Sequence, residues 1–206
     1  MKPTLRRAAA ALLAILPALA LAPTASATPT TVAYACRADT PFGTQDFSLT
    51  QPADVSAPAT AASGSTFAIV VDPAAATAPA SVGGFTLRRV QNLVFKVPIP
   101  ANTTFASGSV SGGVNVGTTA LSVSGGVATL TATGPVSGGA SFELPTITLN
   151  VVAGAPGTTA TTTLYGTGYT DPGLTATAIV RVLFDVSVPA ACYPDPNPVI
   201  TTTAIV

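Results

Sequence analysis

Apolar and polar residues alternate along this chain in short runs, most clearly over residues 175–188. Ala176, Ala178, Val180, Val182, Phe184, Val186 and Val188 fall on one parity, and Thr175, Thr177, Arg181, Asp185 and Ser187 on the other, interrupted by Ile179 and Leu183. A period of two predicts a strand with one face on a core, ended by Pro189. Residues 140–152 repeat the pattern with a phase flip beside Pro145: Phe142 and Leu144 precede it, and Ile147, Leu149 and Val151 follow. Such a flip predicts a bulge or an edge position. Residues 66–71, 85–90 and 93–97 are further strands, with an irregularity expected at Gln91-Asn92. No amphipathic helical period follows residue 27.

Turn signals punctuate these runs. Ser111-Gly112-Gly113, Ser124-Gly125-Gly126 and Ser137-Gly138-Gly139 recur at a spacing of 13. A phosphate-binding loop would need a glycine fingerprint leading into a helix, and none is present. Each tripeptide instead supplies the positive φ of a tight turn, and the series predicts a β-meander. Residues 121–123 and 127–129 around Gly125-Gly126 make the best hairpin. Segments 28–33, 53–63 and 73–81, rich in Ala, Pro, Thr and Ser, read as extended linkers and loops and as candidate O-glycosylation sites. Asn102-Thr103-Thr104 matches the N-glycosylation sequon. The expected architecture is all-β, an antiparallel immunoglobulin-like β-sandwich of roughly nine or ten strands.

The N-terminus changes the picture of where this domain resides. Lys2, Arg6 and Arg7 precede an uncharged run over residues 8–21, and Ala25-Ser26-Ala27 forms a small-x-small site. This is the pattern of a secretory signal peptide, residues 1–27, followed by a single β-sandwich domain over residues 28–206. The apolar run is shorter than the ~18 residues of a membrane span, so no membrane anchor is expected. Cys36 lies too far beyond it to be a lipidated N-terminus. The whole chain carries 8 basic and 8 acidic residues. Without residues 1–27 the basic set falls to Arg37, Arg88, Arg89, Lys96 and Arg181, and the net charge becomes −3. Thr accounts for 31 of the remaining 179 residues, in keeping with pleated surfaces.

An even pair of cysteines, Cys36 and Cys192, in an exported chain reads as a structural disulfide joining the first and last strands. Neither has a C-x-x-C partner that would favour redox or metal chemistry.

Candidate chemistry is sparse. The chain has no histidine, which removes histidine triads and histidine metal sites. A Ser–Lys dyad would have to use Lys96, which alternation places on a solvated strand face. The eight acids are scattered, and no Trp is present to stack a sugar in a glycosidase cleft. Asp171, Asp195 and Asn197 offer oxygen ligands for calcium, but the same residues favour turns without metal. Few cations argue against nucleic acid as a partner. Tyr165-Gly166-Thr167-Gly168-Tyr169 remains as a candidate ligand-contact loop, with Tyr165 and Tyr169 the contact residues. The same pattern also reads as an end-of-strand turn with its tyrosines packed on the rim. No catalytic residue, cofactor or metal is assigned.

Several segments together resemble a group of uncharacterised actinobacterial secreted or cell-envelope β-sandwich proteins. They are Tyr34-Ala35-Cys36, residues 95–105, the Ser-Gly-Gly turns, and Cys192-Tyr193-Pro194 before Asn197-Pro198. The resemblance implies export and a β-sandwich, and it transfers no active site. The expected function is a non-enzymatic structural or binding role outside the cytoplasm, secreted or in the cell envelope, with an envelope glycan or another surface protein as candidate partner. A membrane-inserted β-pore, motivated by the low charge and the long alternation at 175–188, is the alternative; a histidine-independent hydrolase is a third reading.

Overall fold

The computed structural model describes residues 26–206; apart from Ser26 and Ala27, the signal-peptide reading lies outside them. Among the described residues every helix or strand element is a strand. Ten form one hydrogen-bonded path: β1 (Ser26–Thr40), β2 (Gly43–Ala57), β4 (Thr66–Pro73), β7 (Phe85–Pro98), β8 (Thr103–Ser111), β9 (Thr119–Ser124), β10 (Val127–Ala132), β13 (Thr146–Ala153), β15 (Leu174–Arg181) and β16 (Asp185–Pro194). Seven short strands complete the set: β3 (Thr60–Ala61), β5 (Ala76–Thr77), β6 (Ser81–Val82), β11 (Val136–Ser137), β12 (Ser141–Phe142), β14 (Thr159–Thr162) and β17 (Thr201–Ile205).

The path runs β8-β13-β4-β2-β1-β16-β15-β7-β10-β9, antiparallel throughout, with β6 and β11 added to β7. The two ends of the path approach each other: a Cβ on Gly108 of β8 would stand 3.0 Å from the Leu121 side chain of β9. The result is a nearly closed, all-antiparallel main sheet. Beside it β5 pairs with β12, and β17 sits between β14 and β3, pairing with β3 in parallel. The inward positions of the long strands are mostly apolar. Ile69, Val97, Leu130, Ile147, Leu149, Val151 and Val188 are almost wholly buried there. That placement is the inverse of a lipid-facing barrel, whose apolar band points outward.

Cys36 and Cys192 are bonded, with Cα atoms 4.1 Å apart at directly paired positions of β1 and β16. The bridge joins neighbouring strands of one sheet, whereas that of an antibody domain spans two sheets. It ties the first strand to the penultimate one, because β17 follows.

Three expectations need correction. Residues 175–188 are two strands. Arg181 pairs with Asp185, and Val182, Leu183 and Phe184 form the loop between β15 and β16. Phe184, expected on the core face, is therefore 67% exposed and Leu183 86%. Pro189 does not end the strand: it lies within β16 opposite Thr177, just past the last β1–β16 pair, Ala38 with Ala190. The supposed linkers at 28–33 and 53–57 are the open end of the β1–β2 hairpin, zipped from Thr40–Gly43 to Ser26–Ala57. Their Thr and Val suit a half-buried pleat, and a complete hydrogen-bond ladder outweighs their Ala/Pro bias. The Ser-Gly-Gly series is no meander. Gly125 and Gly126, at φ 57° and 77°, close the β9–β10 hairpin as expected, but β8 pairs with β13 and β11 with β7.

Two irregularities fall where the sequence placed them. Asn92 has φ 54°, and the β7–β15 register slips around it. The strand is interrupted over residues 143–145, which include Pro145, between β12 and β13.

Candidate functional site

The outward faces of β2, β1, β16 and β7 carry Asp46, Arg37, Tyr193 and Lys96, and the segment 164–173 is arranged against them. Arg37 and Asp46 are a register pair, so antiparallel geometry alone sets their side chains together. The Arg37 guanidinium donates twice to the carboxylate, at 2.7 and 3.0 Å. This hydrogen bonding raises the pKa of Arg37 and lowers that of Asp46.

Hydrogen bonds tie the segment down at both ends, at Leu164 and at Gly173, whose N–H donates to the Cys192 carbonyl at 2.9 Å. Asn197 clamps Leu164 by accepting from its N–H at 3.2 Å and donating to its carbonyl at 2.7 Å. Within it, the Thr167 N–H donates to the Asp171 carbonyl, the Asp171 N–H to the Gly168 carbonyl, and the Thr167 hydroxyl to the Asp171 carboxylate. Gly173 is required where the segment rejoins β15, since a Cβ there would collide with the Tyr165 carbonyl oxygen.

Each predicted contact tyrosine receives its own cation. Arg37 Cζ stands 4.1 Å from the ring centroid of Tyr169, whose edge meets Tyr193 with centroids 5.1 Å apart. Lys96 Nζ lies 5.0 Å from the Tyr165 ring. The ring quadrupole attracts a cation over its face, so both contacts order the rings. Partial desolvation, then Asp46, raises the Tyr169 pKa; hydrogen bonding to Asp171, then its charge, raises that of Tyr165. Tyr169 and Tyr193 thus form a half-buried aromatic ledge beside Asp46, and Tyr165, also half-buried, lies in the same segment beside Lys96 and Asp171. Fixed flat rings beside hydrogen-bonding groups suit the mixed apolar and hydroxyl faces of a sugar ring.

The residues singled out for other chemistry are engaged elsewhere. Lys96 is held over Tyr165, and Asp171 and Asn197 build the segment's turns. The Asn102 amide nitrogen of the sequon donates to the Thr159 carbonyl at 2.9 Å. Among the described residues no group of three or more Asp, Glu or Cys gathers as a metal site.

Sequence reasoning missed Arg37, Asp46 and Tyr193, because their meeting depends on the β1–β2 and β1–β16 registers. It also missed an apolar cavity of about 200 Å³ inside the main sheet, lined by Tyr34, Ala38, Phe47, Phe142, Ala176 and Ala190 among others. Tyr34 is 3% exposed and burial alone raises its pKa.

No protein-family model and no curated protein matches the chain. A crystal structure of a Corynebacterium diphtheriae protein, designated membrane-anchored, is similar with a TM-score of 0.56 and 16% identity. The likeness covers 87% of this chain and 38% of that one, so the chain corresponds to well under half of its neighbour's length. What the two share is the fold.

Proposed function

We propose that the chain is an extracytoplasmic, non-enzymatic β-domain of the cell envelope, with a binding role carried by the tyrosine ledge and an envelope glycan as its ligand. The observation that carries this reading is the preordered set of Tyr165, Tyr169 and Tyr193 with Arg37, Asp46 and Lys96. A surface held before the ligand arrives avoids the ordering cost of binding. Export is supported by the disulfide, which persists in oxidising compartments, and by the shared fold of the membrane-anchored neighbour.

The test is co-sedimentation of the exported protein with purified cell-wall polysaccharide. Tyr169→Ala and Tyr165→Ala are each expected to weaken binding about tenfold, as truncated aromatic anchors do. Unchanged co-sedimentation in both variants, or recovery of the native protein from the cytoplasm alone, would overturn the reading.

A further inference from the structure

Three hairpin tips meet at one end of the main sheet. β1 runs up to the Thr40–Gly43 turn, and β15 to the loop of Val182, Leu183 and Phe184. The Ala38–Ala190 pair sets these two tips side by side. The Gly83-Gly84 turn of β6 and β7 joins them through the Arg181–Thr86 and Val82–Phe85 pairs. All three loops are uncharged. Phe42 stacks on Phe85 with ring centroids 5.4 Å apart, and Phe85 packs on the small cluster of Ala38, Leu87, Ala178, Val180 and Val188 beneath.

The tips are ordered from within. The Thr40 hydroxyl donates to the Gly43 carbonyl at 2.7 Å and accepts from the Phe42 N–H at 3.2 Å. The Val182 N–H donates to the Phe184 carbonyl at 3.1 Å, and Arg181 donates to Asp185 at 3.0 Å across the foot of that loop. With the backbone so held, Phe42, Leu183 and Phe184 stand in solvent at 64, 86 and 67% exposure.

Area and charge select the occupant. Three large side chains of ~200 Å² each leave about 400 Å² bare at those exposures, about half the ~800 Å² that each member of a stable protein pair contributes. A lipid interface needs no matched surface, because side chains on separate tips enter it singly. Arg88 has no opposite residue, since the β7–β15 register slips between Leu87–Val180 and Arg89–Ile179, and both arginines are exposed. Arg88 lies about 10 Å along β7 from Phe85, within about one Debye length of the tip. Arg88, Arg89 and Arg181 outnumber Asp39 and Asp185 on the strand ends below the tips. Elsewhere among the described residues Lys96 stands alone against Asp54, Asp72, Glu143, Asp171 and Asp195, and Arg37 and Asp46 cancel. A basic, apolar end on an otherwise acidic body is oriented by anionic lipid. A second copy would instead bring one basic tip against another.

We propose that this end docks on the anionic surface of a lipid bilayer, with Phe42, Leu183 and Phe184 entering the headgroup–acyl boundary and Arg88 and Arg89 facing the lipid phosphates. The contact is peripheral and spans nothing, in keeping with a sheet whose apolar residues point inward. It is separate from the tyrosine ledge, so either can fail without the other.

Flotation of the full exported protein with lipid vesicles tests this. Binding is expected to mixed phosphatidylglycerol and phosphatidylcholine vesicles, with little to phosphatidylcholine alone, and should fall as NaCl rises. Leu183→Ser and Phe184→Ser should each weaken it about tenfold, and Arg88→Gln about fivefold. Tm should be unchanged in all three, because the side chains are exposed. The chain holds no tryptophan, so Leu183→Trp is a unique probe whose emission should shift to the blue on the mixed vesicles. Val206→Trp should show no shift, since Val206 bonds to Ala61 and Ser63 beyond the opposite, Ser26–Ala57 end of the β1–β2 hairpin. Leu183→Ser should still co-sediment with cell-wall polysaccharide. The native protein on the two vesicle types decides alone if a variant does not fold. Four results would overturn the proposal: no flotation, equal flotation with and without phosphatidylglycerol, folded serine variants that float normally, or Leu183→Trp emission unmoved by vesicles. Self-association lost in Leu183→Ser, without flotation of the native protein, would overturn the lipid surface in favour of a second copy.

Discussion

Replacing Cys36 and Cys192 together by alanine opens a closure between positions 156 residues apart. In the chain-entropy description a loop of that length removes about 5 kcal/mol of freedom from the unfolded state. Truncating two buried sulfurs adds about 1 kcal/mol each. Against this, the neighbouring pairs Ala35–Tyr193 and Arg37–Ala191 hold the strands in register without the bond. They act on the native state alone, so they leave the unfolded-state term intact. These terms set a ceiling of about 7 kcal/mol; residual structure in the unlinked unfolded chain reduces the entropic part, so the expected loss is about 3–5 kcal/mol, the upper range for native disulfides. Urea denaturation followed by far-UV circular dichroism measures it, and m should rise because the unlinked unfolded chain exposes more surface. Reduced wild type should lose nearly as much as the double variant. A loss below about 1 kcal/mol in both, with m unchanged, would refute the reasoning. The unlinked chain would then already be compact around the β1–β16 pair when unfolded.

Three further outcomes follow from the geometry. Leu149→Ala, at a site with 0% exposure, should cost about 3 kcal/mol in the same assay, since the packed sheet cannot collapse onto the gap. Gly126→Val should cost about 1–2 kcal/mol, because φ is positive there, whereas Gly125→Asn should be nearly neutral in a two-residue hairpin turn. The Tyr34 pKa is raised in the folded state, so the stability it contributes is full below the ordinary phenol pKa of about 10. That contribution is lost as pH rises beyond this value. Phenolate absorbance should therefore show one tyrosine ionising only with alkaline unfolding, and Tyr34→Phe should abolish that late step.

Parity explains which parts of the fold the sequence disclosed. The β9–β10 loop has two residues, so the inward phase changes across it, and Gly125-Gly126 marks the place. The β15–β16 loop has three, Val182, Leu183 and Phe184. Across an odd loop, paired positions keep the same parity, so the alternation at 175–188 runs through the turn without a phase slip. All three loop residues are apolar, and no glycine or proline announces them. Asn92 and Pro145 were legible because each breaks a phase locally. The ledge was half legible: Tyr165 and Tyr169 lie in one short segment, but Arg37, Asp46, Lys96 and Tyr193 join them through pairings that no local pattern encodes. The cavity was hidden for a related reason. Ala38, Ala176 and Ala190 are unremarkable singly and become a void only when registered side by side.

The central position of β1 governs the order in which the molecule can be completed. It leaves ribosome or export channel ahead of every other described strand, and it zips early to β2 by a local turn. Its other edge waits for β16, which follows after nearly the whole body has emerged. Throughout that interval a row of backbone donors and acceptors stands open beside an unpaired cysteine. Long-range pairing of this kind is slow and leaves intermediates prone to edge-to-edge association. Folding therefore finishes after synthesis, and a chaperone or oxidant that shields Cys36 until Cys192 arrives would set the yield of native protein.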